Sequence, residues 1–420
     1  MKLELHKHRI ERVDFGQNME IKEHTLVIEK EKLIDAIREG PGMIVDVVIC
    51  RPGEKARITN ILDIVEPRVK SEGRGTVFPG FLGSAEKVGS GVTKVLEGVA
   101  VMEIGSIPRV QEGLVDMGGH GARYSPFSRT NNVVLVFEPA VGMGMTEFDN
   151  MVRLAGLKAS SYLARASLEM EPDGVEVFEL SLEDAGPDRG KGLKRIAYIC
   201  MLQSQGFLRD TFVYGCSASE LSPTTIHPNE IMDGSIVSGN YVIPANRNPT
   251  YFHLNNPVIR ELYLRHRDNL IFGGVVICNE HSRLEDKERT AHEAVEILER
   301  LGVEGVIITK EGGGNADTDL MLMCRTCESR GIQTVLIGNE GAGKDGADPS
   351  LADVTPEANA FVTTGNNDET IELDPVERLI GRGPLPGATE DLRGRLTMPV
   401  ARISGATNLL GYGMLTCRST

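Results

Sequence analysis

Tryptophan is absent from the 420 residues and aromatic side chains make up only 5% of them. Little is therefore available for a platform of rings on which single-stranded nucleic acid would stack. An excess of positive charge is also lacking: 45 Lys and Arg stand against 60 Asp and Glu, a net charge of -15. That argues against broad nucleic-acid binding and against adhesion to an anionic membrane, both of which need a basic face. No stretch approaches the apolar length of a membrane-spanning helix. The opening segment MKLELHKHRIERVDFG alternates charged and apolar residues and has no apolar core of a signal peptide. The seven cysteines are odd in number and scattered, which suits a reducing cytoplasm better than a disulfide framework.

Glycine is plentiful at 47 residues and proline reaches 20, as expected of a large α/β protein with many tight turns. The length predicts two or three domains. Up to about residue 140 the chain reads as strands, in segments such as HTLVIEK, MIVDVVICR, KVLEGVAVMEIG and NNVVLVFEP. MTEFDNMVRLAGLKASSYLARASLEM predicts a helix, with Thr146 as its N-cap and Phe148, Met151, Leu154 and Leu157 on one stripe. VEVFELS, LKRIAYICML and DTFVYGCS read as strands, and the glycine-rich EDAGPDRGKG between the first two as a boundary or exposed loop. From residue 257 strands alternate regularly with helices, which implies right-handed crossovers and a parallel sheet. The expected fold is therefore α/β: a β-rich N-terminal part over 1–145, a mixed α/β region over 146–256, and a doubly wound, mainly parallel domain over 257–420. Ligands of such a domain bind beyond the carboxyl ends of its strands. Those ends carry Asn279–Glu280–His281, Lys310–Glu311–Gly312, Asn339–Glu340 and Thr364–Gly365–Asn366.

Several loops there and elsewhere have the residue types that chemistry needs. Gly312, Gly313, Gly314 and Asn315 precede a helix whose first turn holds Asp317 and Asp319. The arrangement fits either a small anion at free N–H groups or a tight turn whose acidic residues already satisfy the helix dipole. Gly338 to Asp345 nearly spells a P-loop, but Asp345 replaces the hydroxyl residue and GADPS breaks the helix that should follow, so a plain loop is expected. Cys324 and Cys327 form a C-x-x-C late in a helix with no second pair, a structural reading. Cys50, Cys200 and Cys216 read as core. His227 and Glu230 lie three apart in a proline-containing turn, as base, ligand or cap. His120 lies in a glycine-rich loop and His281 just after a strand. His6, His8, His24, His266 and His292 are expected at the surface.

Taken together, MKLELHKHRIERVDFG, EPRVKSEGRGTVFPGFLG, YSPFSRTNN, IHPNEIMDGSIVSGN, NPTYFHLNNPVI, LEDKER, VIITKEGGGNADTDLMLMCR and GAGKDGADPSLAD resemble the glycine, sarcosine and betaine reductase component B family, over nearly the whole chain. The resemblance implies a reductase-complex component. In that family a proprotein is cleaved at an Asn–Cys bond, and the cysteine becomes a pyruvoyl group that condenses with the substrate amine. A selenocysteine subunit then attacks the α-carbon. Here the matching stretch runs SGN and then Tyr241. A tyrosine oxygen lies across a ring from Cβ, so it can neither attack the carbonyl of Asn240 through a five-membered intermediate nor eliminate. No pyruvoyl group is expected.

What the resemblance then implies is an uncleaved component that binds a small amino-acid-like or amine substrate beside a thiol- or selenol-bearing partner subunit. Asn240, Tyr241, His227 and Glu230 are the catalytic candidates. His120, His253 and the turn from Gly312 to Asn315 are the substrate-binding candidates. Tyr241 reads either as a phenolic acid or hydrogen-bond donor, or as filler. Two alternatives stay open. One is an enzyme that breaks a C–N or C–S bond with a transition metal or an acid–base pair, with His120, His227 and His281 as metal candidates. The other is a non-catalytic scaffold subunit. A homo- or hetero-oligomer is expected on general grounds.

Overall fold

In the computed structural model the described residues are 1–38, 44–107, 112–181, 192–205, 210–239, 243–381, 391–412 and 416–417. The architecture is α/β, with mixed sheets in the N-terminal part and a mainly parallel, helix-flanked sheet in the C-terminal part.

In that sheet Lys194–Leu202 lies between Leu270–Asn279 on one side and Gly305–Lys310 on the other. Gln333–Glu340 and Phe361–Asn366 continue it outward. All five run parallel, with Tyr198 opposite Val275 and Ile307. Antiparallel Thr224–Ile226 and Thr416–Cys417 close the two edges. In chain order the five parallel strands are arranged 2-1-3-4-5. The direction of winding therefore reverses between the first strand and the third, at Lys194–Leu202 and Gly305–Lys310.

The strands read as nearly unbroken apolar runs because both faces are covered. One face packs Ile199, Val276 and Ile308 against helices Leu284–Leu301 and Asn315–Ser329. The first of these helices buries Lys287, Ala291, Ala294, Val295 and Leu298 on a single stripe, and Gly302, at φ 63, ends it in the left-handed conformation. The other face packs Tyr198, Phe272 and Ile277 against helix Pro257–Arg265 and against Leu3 and Leu5 of the N-terminal strand.

The expected boundaries at 146 and 257 do not separate sheets. Lys194–Leu202, an interior strand of the C-terminal sheet, comes from the middle region, and Gly174–Glu179 pairs with the N-terminal strand Lys2–Arg9. Chain order says nothing about lateral pairing, which is settled by which buried faces meet.

The N-terminal part contains a four-stranded sheet and a larger one built on Ala56–Val65, Val99–Ile104 and Asn131–Glu138. Helix Met145–Ala164 lies across the larger sheet and buries Phe148, Val152, Ala155, Ala159 and Leu163 against it. Its N-cap is Gly144, with no side-chain cap, and not Thr146, which is the second residue of the helix. A short helix, Lys30–Ile37, interrupts the expected run of strands. The DTFVYGCS segment is a hairpin, Phe212–Val213 with Cys216–Ser217, rather than one buried strand. Tyr214 and Gly215 take φ of 52 and 79, the paired positive values of a two-residue turn, which leaves Cys216 exposed. His8 is buried rather than at the surface, and burial lowers its pKa. EDAGPDRGKG lies outside the described residues apart from Gly192.

Candidate functional site

Polar residues that immediately follow buried parallel strands converge where the winding reverses. Such a point leaves a crevice, because the connections on either side depart to opposite faces of the sheet. Glu311 follows Gly305–Lys310, and its carboxylate accepts hydrogen bonds from five donors: the backbone N–H of Gln203 at 3.0 Å, Thr211 Oγ1 at 2.5 Å, the backbone N–H of Asn248 at 3.2 Å, Asn248 Nδ2 at 3.1 Å and His253 Nε2 at 3.1 Å. Burial alone would raise its pKa. The hydrogen bonds and charge of His253, with those from Thr211 and Gln203, outweigh that and hold it below the ordinary carboxyl value. Glu311 thus anchors three separate segments to the end of one strand.

Lys310 is buried and completes the same strand end. Its Nζ donates to Gly312 O at 2.8 Å and pairs with Asp317 Oδ1 at 2.8 Å. Lys287 of the neighbouring helix pairs with Asp319 and donates to Asn315 O. Asp317 and Asp319 therefore neutralise lysines rather than leaving the helix N-terminus open to an external anion. Gly314 is the N-cap residue at φ 70, and the chain turns at Gly312, φ 74, so tightly that only glycine is unstrained at either.

Glu280, one residue beyond Leu270–Asn279, is 1% exposed, and among the described residues neither carboxylate oxygen has a hydrogen-bond partner. Burial first, and then the charge of Asp319, raises its pKa well above the ordinary range, with Lys310 opposing. Gln203 Oε1 is likewise buried without a partner among the described residues. A cavity of about 570 Å³ lies beside this cluster, lined in part by Asn246, Lys310, Gly313, Gly314, Asp317 and Asn339. The near-P-loop segment contributes Asn339 and Gly341 to its wall; it runs from the end of strand Gln333–Glu340 into a loop, not a helix.

The sequence-derived candidates are distributed unevenly around this crevice. His253 and the glycine turn belong to it. Asn315 stands at its edge, donating to Gln205 and to His281 O. His281 is next to it in sequence, but its ring meets Thr290 Oγ1 at 2.9 Å. His227 and Glu230 form a reciprocal capping box at the start of helix Pro228–Met232. His227 Nε2 also meets Leu180 O at 3.1 Å, and burial lowers the ring pKa to about 4. His120 is in an exposed loop with Arg123 and Tyr124. His120, His227 and His281 therefore hold separate partners in separate elements. Among the described residues no three His, Cys, Asp or Glu side chains are placed to hold a metal ion, so the metal alternative finds no donor set there. Asn240 and Tyr241 lie outside the described residues, between Gly239 and Ile243. Cys324 and Cys327 are buried in helix Asn315–Ser329, with Cys324 against Thr334 Oγ1, in line with a structural role.

Residues 1–418 match the family described as glycine/sarcosine/betaine reductase component B subunits. The chain belongs to this family. It is 41% identical over its full length to the glycine reductase complex component B subunits alpha and beta of Acetoanaerobium sticklandii, 100% of which is covered. It is 43% identical to the sarcosine reductase complex component B subunit alpha of Peptoclostridium acidaminophilum, again with both chains covered in full. The betaine reductase complex component B subunit alpha of the same organism is 33% identical over 91% of this chain and 88% of that protein. No solved structure matches. These relatives are named as components of reductase complexes. No helix among the described residues is long and apolar enough to cross a membrane.

Gln203 carries no recognisable motif, Asn248 opens the family segment NPTYFHLNNPVI without being singled out by type, and Glu280 stands out only as part of a strand end. For Gln203 and Glu280 the available signal is position, since each is a polar residue directly after a buried strand.

Proposed function

We propose that this chain is the uncleaved substrate-binding component of a glycine/sarcosine/betaine reductase-like complex, and that its crevice binds a small amino-acid-like or amine substrate for reductive C–N cleavage. The attacking thiol or selenol belongs to a partner subunit. One observation carries the reading: fully buried, incompletely satisfied polar groups converge on the crevice at the reversal of winding. Buried polar groups are normally paired, because an unmade hydrogen bond costs about 1–3 kcal/mol. Glu280 and Gln203 hold buried oxygens without a partner among the described residues, next to Gly312, whose neighbours Gly313 and Gly314 line the cavity. Family membership supports the type of complex. Tyr241 in place of a thiol-bearing residue supports the uncleaved state.

The test is calorimetric titration of the purified chain with glycine and sarcosine, followed by a turnover assay for amine release with the remaining subunits of a relative's complex. Saturable binding and partner-dependent amine release are expected. Absence of binding to any small amine or amino acid sinks the reading, and binding without turnover in the reconstituted complex favours a scaffold.

A further inference from the structure

The cavity of about 570 Å³ has three charged side chains among its described lining residues: Lys310, Asp317 and Asp368. Two of them cancel. Lys310 Nζ lies 2.8 Å from Asp317 Oδ1, and Asp317 Oδ2 accepts from Ala352 N–H at 2.8 Å. Asp368 is partly buried and forms no ion pair with a described residue. The lining therefore carries one net negative charge, and it resides on Asp368. A carboxylate partly withdrawn from water gains from a cation brought against it, because the pair is screened less there than in bulk water.

The position of that carboxylate is fixed by the chain around it. Asp368 lies just after strand Phe361–Asn366, and its Oδ2 accepts from the backbone N–H of Gly343 at 3.0 Å. Asn366 laces the same two segments together. Its Oδ1 accepts from Ala342 N–H at 3.0 Å and from Asp368 N–H at 3.1 Å, and its Nδ2 donates to Gly343 O at 2.7 Å. Gly343 takes φ of 72, and a Cβ there would lie 2.3 Å from Asp348 Oδ2, so the turn requires glycine. The near-P-loop segment thus serves to hold one oxygen of Asp368. The other, Oδ1, makes no hydrogen bond to a described residue.

Resting on the proposed substrate-binding role, we infer that Asp368 is the counter-ion of the ligand's ammonium group, so that the cavity takes the amine and rejects the matching carboxylate that lacks it. The ammonium donates to Oδ1 and sets a positive charge against the one unmatched negative charge of the wall. An anion without an ammonium meets Asp368 uncompensated, and Lys310 is already engaged by Asp317 and Gly312 O. Asn246 serves the ligand's other polar group: its side chain packs on Gly313, makes no hydrogen bond to a described residue, and as an amide both donates and accepts.

Glycine and glycolate differ only in the ammonium that a hydroxyl replaces, and calorimetric titration of the full chain with each at neutral pH tests the inference. Glycine should bind at least roughly tenfold tighter, the effect of one hydrogen bond to a charged group. Asp368→Asn keeps an acceptor for Gly343 N–H and removes the charge. It should weaken glycine at least about tenfold without weakening glycolate, so that the preference for the amine collapses. A merely structural role for Asp368 would weaken both ligands alike. Asp345→Asn alters an exposed acid of the same loop that does not line the cavity, and should leave the preference intact. Asp368→Ser gives the same reading should Asp368→Asn fail to fold. Glycolate binding to the wild type as tightly as glycine or tighter, or a folded Asp368 variant that keeps the preference for glycine, overturns the inference while leaving the substrate-binding role intact. If neither ligand binds, that role fails and takes the inference with it.

Discussion

His253 Nε2 and Glu311 Oε1 lie 3.1 Å apart across 58 residues of chain, with both side chains almost wholly buried. The contact ties the short helix Thr250–Leu254 to the end of strand Gly305–Lys310. Through Asn248, Thr211 and Gln203 the same carboxylate gathers three further points of the chain. Glu311 thereby shapes the crevice more than any other residue described in it.

Removing that carboxylate should therefore cost more than an average hydrogen bond. Glu311→Ala leaves buried donors on His253, Thr211 and Asn248 unpaired, and the expected loss is about 3–5 kcal/mol, the range for breaking a buried charged contact from one side. Urea unfolding monitored by circular dichroism checks it, and a midpoint shift worth less than about 1 kcal/mol would show that the network is not cooperative. Because the folded pKa of Glu311 is depressed, the stability it contributes is present above the unfolded carboxyl value and is lost as pH falls through the folded one. Glu311→Gln should flatten that acid limb.

His227 produces a second pH dependence with a different window. Its pKa falls from 6.5 to about 4 on folding because the ring is buried as a neutral cap. Between those values the unfolded chain binds more protons, so stability is full above pH 6.5 and declines as pH falls toward 4. His227→Asn preserves an N-cap acceptor and should remove this dependence. His227→Ala should in addition lose about 1 kcal/mol of capping. Denaturation midpoints across pH 4.5–7 measure both, and an unchanged pH profile in His227→Asn would refute the assignment.

Gly156, inside helix Met145–Ala164, packs on the buried carboxylate of Glu103. An added Cβ would lie 1.8 Å from Glu103 Oε1. Alanine is normally worth about 1 kcal/mol over glycine in a helix. Here overpacking at about 1–3 kcal/mol should win, and Gly156→Ala should lower the melting temperature. A rise would mean that Glu103 swings aside freely.

An intact chain is the fourth expectation. Denaturing mass spectrometry of the purified protein should give one species near 45.7 kDa, because Tyr241 cannot perform the acyl shift and elimination that cleavage needs. Two fragments, the second with a blocked N-terminus, would restore pyruvoyl chemistry at another residue.

Much of the architecture was legible in the sequence. From residue 257 onward each expected strand and helix is present, because apolar runs of strand length alternate with helical stripes such as Ala291, Val295 and Leu298. The candidates for the site were less evenly legible. His253 and the turn at Gly312 could be singled out by residue type. His227 and Glu230 could not be told apart from a base and its carboxylate, since a capping box has the same spacing as a functional pair.

The amino-acid sequence by itself determined the fold class, the family and the absence of a thiol after Asn240, since these depend on residue types and local periodicity. That Lys194–Leu202 enters the C-terminal sheet between two later strands was decided only by tertiary structure. So was the convergence of Gln203, His253, Glu280 and Glu311. Lateral strand order and the meeting of distant polar groups follow from packing buried faces, and that packing acts between segments whose separation along the chain carries no record of it.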